Sequence, residues 1–294
     1  MQDQVRYQIK PLGTSDQEEE QERSEPMRGA RAREVALKAA QAAGEILRAA
    51  YCTGATRVRE KADTSLQTEA DLAAEQAIIS CVRAAFPDHT IESEEQGMSL
   101  GEAPSPYLWR IDPLDGTENF VLGLPYFSST LTLCQDGQPL LAVVSEPLTG
   151  NLYLAEHGRG AWLNGERLHV SQTSQFRQCR AFFIPDSATK RQPLAVQVRH
   201  ALYARCRRVL DTWSPALDWC LVASGQADLV IALANSPLMP NAGTLILQEA
   251  GGTITDGSGR PFTGQGQRLL VGSNSTELHA AGLRLLAPHT GGRQ

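Results

Sequence analysis

Apolar residues recur every three to four positions from about Arg31, at Val35, Ala39, Ala42, Ile46 and Ala49. This spacing predicts a helix over 31–50, closed by Gly54. A second helix is predicted from Thr68, whose hydroxyl can cap the first turn while Asp71 answers three positions on. Leu72, Ile79, Val82 and Phe86 would form its apolar face, and Pro87 ends it. The period then shortens. Segments 108–111, 128–134, 140–145 and 151–155 read as strands, and Asn164-Gly165 between 160–163 and 167–170 marks a hairpin. Two long helices against a closely linked antiparallel sheet make an α+β half.

After about Thr173 the texture changes. Short strands at 180–184, 207–210, 228–231 and 268–271 alternate with helices at 193–203, 215–224, 240–250 and 276–286, which is an α/β pattern. Ser214-Pro215 supplies an N-cap followed by proline at the first helical position. The expected division is therefore 29–173 and 174–288, flanked by tails at 1–28 and 289–294. The first tail is rich in Gln, Glu and Arg and poor in apolar residues, a composition that predicts disorder.

Composition narrows the function classes. With 294 residues, 41% hydrophobic and 20% charged, the chain is long enough for a packed core. A formal charge of -6 disfavours a nucleic-acid binder built on phosphate contacts. It leaves room for a small phosphorylated substrate, since bound cations would reverse the local sign. No stretch reaches transmembrane length and the polar N-terminus is unlike a signal peptide, so the expected address is the cytoplasm, without a membrane partner. Six cysteines without a Cys-x-x-Cys pair predict reduced thiols, with Cys81 and Cys220 as small core residues. His89, His157, His169, His200 and His279 stand at neither metal-ligand nor triad spacing.

The segment Trp109-Arg110-Ile111-Asp112-Pro113-Leu114-Asp115-Gly116-Thr117-Glu118-Asn119-Phe120 carries the chemistry. Trp109–Ile111 reads as the end of a buried strand that Pro113 stops from adding further ladder bonds. Asp112 and Asp115 then lie on a tight turn, where their carboxylates and the Leu114 carbonyl can converge. Hard oxygen ligands of this kind suit Mg²⁺, which is usually held by one or two carboxylates plus substrate phosphate. Gly116 lets the backbone approach a ligand closely, and the amides that follow can point at an anion. Two acids followed by bare N–H groups make a layout for a metal-assisted phosphate site.

The Asp112–Phe120 string resembles the signature of the inositol monophosphatase family, Mg²⁺-dependent and lithium-sensitive phosphatases of small phosphate esters. Ile91-Glu92-Ser93-Glu94-Glu95-Gln96-Gly97 is similar to its Glu-Glu-Ser-Gly stretch, with Gln96 in place of serine. Lys61 and Leu66–Asp71 resemble its Val-Thr-x-x-Asp helix start, and Glu249-Ala250-Gly251-Gly252 its C-terminal element. The resemblance implies a layered α-β-α-β-α sandwich, a homodimer and Mg²⁺ as cofactor. It assigns Glu94, Asp112 and the Leu114 carbonyl to a first metal, with Asp112 and Asp115 on a second. It further implies Thr117, Asp71 and Glu94 as catalytic residues, and Gly116, Thr117 and Asp115 as contacts to the substrate. Glu95 would stand behind the ligands.

Three departures cluster in one half of the implied site. Leu238 and Met239 stand where the family has Trp-Asp, and the thioether of Met239 cannot replace a carboxylate on Mg²⁺. Ala232 stands where inositol-specific members carry a substrate-binding Glu, and Trp213-Ser214-Pro215 replaces a small Gly-Ser/Thr-Ala patch. Asn241, two residues beyond Met239, would point elsewhere on a helix. A phosphatase with altered substrate choice is one reading. A relative that binds a phosphorylated ligand or a protein partner is another. A Ca²⁺-type structural site explains neither Gly116-Thr117 nor the Thr68–Asp71 pair.

Overall fold

The computed structural model describes residues 16–54, 57–61, 65–234, 241–263 and 267–290. In chain order the elements of the first half are α1 (Asp16–Thr53), β1 (Val58–Glu60), β2 (Leu66–Thr68), α2 (Glu69–Ala85), β3 (Thr90–Ser93), β4 (Gly97–Ser99), β5 (Tyr107–Asp115), α3 (Thr117–Leu122), β6 (Ser128–Gln135), β7 (Gln138–Glu146), β8 (Asn151–Glu156), β9 (Gly160–Leu163) and β10 (Glu166–Arg167). There follow β11 (Arg180–Pro185), α4 (Pro193–Arg205), β12 (Arg208–Leu210), α5 (Pro215–Ala223), β13 (Leu229–Leu233), α6 (Ala242–Glu249), β14 (Thr253–Asp256), β15 (Leu269–Ser273) and α7 (Thr276–Thr290). β1 and β2 pair alone; an eight-stranded sheet runs β10-β9-β8-β7-β6-β5-β3-β4, and a five-stranded sheet β12-β11-β13-β15-β14.

Period-two alternation decides the layering. On β7, Leu141 and Val143 join one core with α1 and α2, while Ala142 and Val144 face a second core with α5 and α6. On β13, Val230 and Ala232 face that same second core, whereas Leu229, Ile231 and Leu233 pack with α4 and α7. Both sheets are therefore covered on both faces, and the order of layers is α-β-α-β-α, the expected sandwich. No helix among the described residues is long and apolar enough to cross a membrane.

Several local expectations are corrected. α1 begins at Asp16, inside the segment read as a tail, because the Gln, Glu and Arg that lower its hydropathy are also good helix formers. Its buried stripe is Ala32, Ala36, Ala39, Ala43 and Leu47, with Ala49 exposed. The stripe is turned by about one residue from the predicted face, since small alanines allow close approach to α2. On α2 the buried face is Ala70, Ala74, Ile78 and Val82, and Leu72 is exposed. Cys220 is buried as expected, but Cys81 is only partly so. The hairpin after Asn164-Gly165 is shorter than expected, its second strand ending at Arg167.

The correction at β5 matters most. The strand does not stop at Pro113 but continues to Asp115, because a bulge absorbs the proline. Asp112 pairs with Thr130 and Asp115 with Ser128, so three steps on β5 are matched to two on β6. The extra residue turns the end of the strand, and Leu114 N donates to Asp112 Oδ1 at 3.1 Å.

Candidate active site

Strand pairing brings the first two acids together. β3 runs parallel to β5 with Ser93 opposite Ile111, and Glu94 N donates to the Ile111 carbonyl at 3.1 Å. Glu94 is thereby set next to the position of Asp112 on the neighbouring strand. Burial, and then the charges of Glu94 and Asp115, push Asp112 well above the usual carboxylate range. Glu94 is also raised, by partial loss of water, against the opposing charge of Lys61. Lys61 reaches Glu95 at 2.7 Å and Glu94 at 3.5 Å. Burial would lower its pKa, but the bond to Glu95 and both acidic charges outweigh that and raise it. Glu95, its side chain 1% exposed, also accepts from Gln67 Nε2 and so sits directly behind Glu94. Lys61 is thus a built part of the site.

One residue that sequence reasoning missed stabilises this turn. Glu75, fully buried on α2, accepts from Ser93 Oγ, from Gln96 N at 3.1 Å and from Gln96 Nε2 at 2.6 Å. These bonds fix both ends of the Ser93–Gln96 turn that presents Glu94 and Glu95. The available signal was a second acid one helical turn after Asp71, on the face that α2 buries.

Asp71 forms the predicted capping box. Its Oδ2 accepts from Thr68 N at 2.8 Å and from Thr68 Oγ1, and its own N–H donates to Thr68 Oγ1 at 3.2 Å. The other oxygen faces Thr117 Oγ1 at 3.4 Å, while that hydroxyl lies 2.9 Å from the Leu114 carbonyl. Burial lifts Asp71 to about 6, against the bonds from Thr68. Thr117 opens α3 directly after Gly116, whose φ is 93°. A side chain at Gly116 would meet Ser214 Cβ and the Tyr126 carbonyl at 3.2 Å, so both conformation and space require glycine.

Asp115, whose charge also acts on Asp112, has its own set of donors. Its Oδ2 accepts from Ser214 Oγ at 2.6 Å, Ala216 N at 3.0 Å and Ser128 Oγ at 3.3 Å. Burial raises Asp115 to about 6, and those same three donors restrain the shift. Among the described residues, no three His, Cys, Asp or Glu side chains close into one metal-ready cluster. Ser214 precedes α5 but makes no capping bond to it; its hydroxyl is spent on Asp115. Asn119 Nδ2 donates to both the Tyr126 and Thr212 carbonyls at 2.7 Å, and Asp218 accepts from Thr212 Oγ1 at 2.5 Å and Tyr126 Oη at 3.0 Å. These bonds fasten the approach to α5 against α3. Between Thr212 and Ser214, Trp213 is held at φ 59° with 54% of its surface exposed. A bulky residue there carries ~1–3 kcal/mol of strain that a glycine would not.

Leu238 and Met239 lie outside the described residues. α6 begins at Ala242 rather than at Pro240, and Asn241 is its N-cap, with Oδ1 accepting from Thr244 N at 3.0 Å. Its side chain is thus committed to the helix, consistent with the expectation that it points away from the acids. A cavity of about 850 Å³ is lined by Arg31, Phe86, His89, Tyr107 and Arg159 among others. It opens at the Tyr107 end of β5 and contains none of the acids.

The donor set suits a divalent cation. Acids whose charges raise a neighbour's pKa are short of positive charge, and hard oxygens favour Mg²⁺ among common ions. Layering, capped Thr68–Asp71 helix and acid–bulge–Gly-Thr turn together define the class. A model of the inositol monophosphatase family matches residues 30–289, and the chain belongs to that family. It is 34% identical over 263 residues to the Nus factor SuhB of Pseudomonas aeruginosa, covering 87% of this chain and 95% of the relative. It is 33% identical over 235 residues to an inositol monophosphatase of Mesembryanthemum crystallinum, covering 78% and 86%. Among solved structures, an IMPase from Thermotoga maritima superposes with a TM-score of 0.76 at 30% identity, covering 85% of this chain and 94% of that one.

Proposed function

We propose that this protein hydrolyses a small phosphate monoester (a sugar, polyol or nucleotide phosphate) with Mg²⁺, by direct attack of water. The observation that supports this most is the pairing of β3 with β5 that sets Glu94 next to Asp112, two residues before Leu114, whose carbonyl accepts from Thr117. Glu94, Asp112 and the Leu114 carbonyl would hold the principal cation, and Asp115 a second through its remaining oxygen. When bound, Mg²⁺ neutralises the phosphate dianion and lowers the pKa of coordinated water.

The protein's own groups do the positioning. Thr117 Oγ1 accepts a hydrogen bond from the attacking water while directing its own proton to Leu114 O or Asp71. Asp71, ionised at neutral pH with its pKa near 6, keeps that orientation. The Gly116 and Thr117 amides hold a phosphate oxygen at the head of α3. Lys61 and Glu95 fix Glu94 from behind. Assembly as a homodimer, implied by the family resemblance, is part of the proposal.

A second reading has its own support. Asp115 is already bonded by three donors, Met239 offers no hard ligand, and several relatives carry the name Nus factor. On that reading the chain binds a phosphorylated ligand or a protein partner with little turnover. Phosphate release across a panel of sugar, polyol and nucleotide monophosphates, for the native chain and Met239→Asp, separates the two. The expected result is Mg²⁺-dependent release by the native chain, at higher turnover in Met239→Asp. No release by either protein from any ester would leave the binding reading in place.

A further inference from the structure

We propose that Trp213 is a stacking platform that selects phosphate esters whose alcohol carries a planar aromatic base, the nucleoside monophosphates. The inference rests on the phosphate-site reading above and names its substrate class. Trp213 is exposed, yet its backbone is among the most tightly defined at the site. Thr212 on one side is bonded through its carbonyl to Asn119 and through its hydroxyl to Asp218; Ser214 on the other is bonded to Asp115. The tryptophan is held at φ 59° between these anchors. Left-handed backbone at a bulky residue survives only where the surroundings over-determine it, and such residues concentrate at ligand clamps. This indole stands on the residue next to Ser214, whose hydroxyl grips a candidate ligand carboxylate.

The groups around it favour an aromatic ring over a polyol. Reading vicinal hydroxyls takes free donors and acceptors, and two polar groups described on this side are already engaged. Ser214 is paired with Asp115, and Asp218 with Thr212 and Tyr126. Ala232 is buried in the core and offers nothing polar. Exposed apolar surface stands on the α3 side. Leu122 and Leu124 are 60% and 47% exposed, and Leu124 N donates at 2.8 Å to the carbonyl of Asn119, whose side chain holds Thr212. A purine can lie on such a rim, since base–indole stacking needs a flat face and no hydrogen bonds.

The test compares adenosine 5'-monophosphate with ribose 5-phosphate, the same ester without its base. With Mg²⁺ present, the nucleotide should quench tryptophan emission through Trp213 and ribose 5-phosphate should not. The quench should vanish in Trp213→Gly, a change that also relieves the backbone. The ratio of kcat/KM for the two esters should fall about tenfold in Trp213→Gly, through KM, and return in large part in Trp213→Phe. An unchanged ratio, or a quench that survives in Trp213→Gly, would overturn the assignment. Phosphate release from both esters with an unchanged ratio removes the platform and leaves hydrolysis standing. A Trp213-dependent quench without release from any ester removes hydrolysis and leaves the platform.

Discussion

Glu94, Asp112, Asp71 and Thr117 stand on elements that are neighbours in the chain or in one sheet. Ser214 reaches the same place from 99 residues beyond Asp115. The first side is held by a parallel strand pair, a capping box and the buried Glu75, each bond local to a segment of fewer than 60 residues. The second side is held by side chains at the approach to α5, where Thr212, Ser214 and Asp218 bond to α3, to Tyr126 and to Asp115. The Trp213-Ser214-Pro215 departure from the family pattern falls on the second side, and exchange of Trp213 leaves every bond of the first side intact. The geometry thus separates the acids proposed to hold the cation from the surface around Trp213.

The largest effect should come from breaking the first side. Asp112→Asn keeps the shape but removes the carboxylate charge, and should reduce phosphate release to background at any Mg²⁺ concentration. Phosphate release at saturating Mg²⁺ checks this; activity recovered by adding metal would assign Asp112 a lesser role. A smaller effect is expected on the second side. Ser214→Ala deletes the closest donor to Asp115 and should weaken Mg²⁺ activation roughly 10- to 100-fold, as for other groups that orient a ligand. A Mg²⁺ titration of activity measures it, and an unchanged half-saturation point would show that Ala216 N and Ser128 suffice.

The smallest effect is a pH dependence on the first side. Asp71 has its pKa raised from 3.8 to about 6 in the folded protein. The folded state therefore binds its proton more tightly than the unfolded chain, which adds stability below about 3.8 that is lost as pH rises through about 6. In metal-free protein this contributes on the order of 1–3 kcal/mol across the window. Asp71→Asn should accordingly remove part of the fall in Tm between pH 5 and pH 7.5. Thermal melts in chelator check the slope, and parallel slopes for the two proteins would contradict the assignment.

Much of the first side was legible in the chain because its interactions are short-range. Thr68 and Asp71 are three residues apart, and a capping box needs only that spacing. Asp112, Asp115, Gly116 and Thr117 come from one turn, so their chemistry could be read together. The phase of a helix was less legible: α1 is so rich in alanine that several faces fit a three-to-four period, and packing against α2 selected one. Glu75 was missed because a buried acid looks like a surface acid until Ser93 and Gln96 are seen to satisfy it. Ser214 was read as a cap because Ser-Pro before a helix usually is one; Asp115 competes for its hydroxyl, and that competitor is visible only in three dimensions.

By itself, the amino-acid sequence determined the alternation that covers both faces of two sheets, the Thr68–Asp71 cap, and the run of acids followed by Gly-Thr. Those depend on period and on neighbours a few positions away. The tertiary structure alone decided how β5 passes Pro113, which acid stands next to Asp112, and where Ser214 spends its hydroxyl. It also decided that Trp213 stands exposed in a left-handed backbone beside the site. Each of these is a contest among partners far apart in the chain, settled by the strand register and helix packing that bring them within reach.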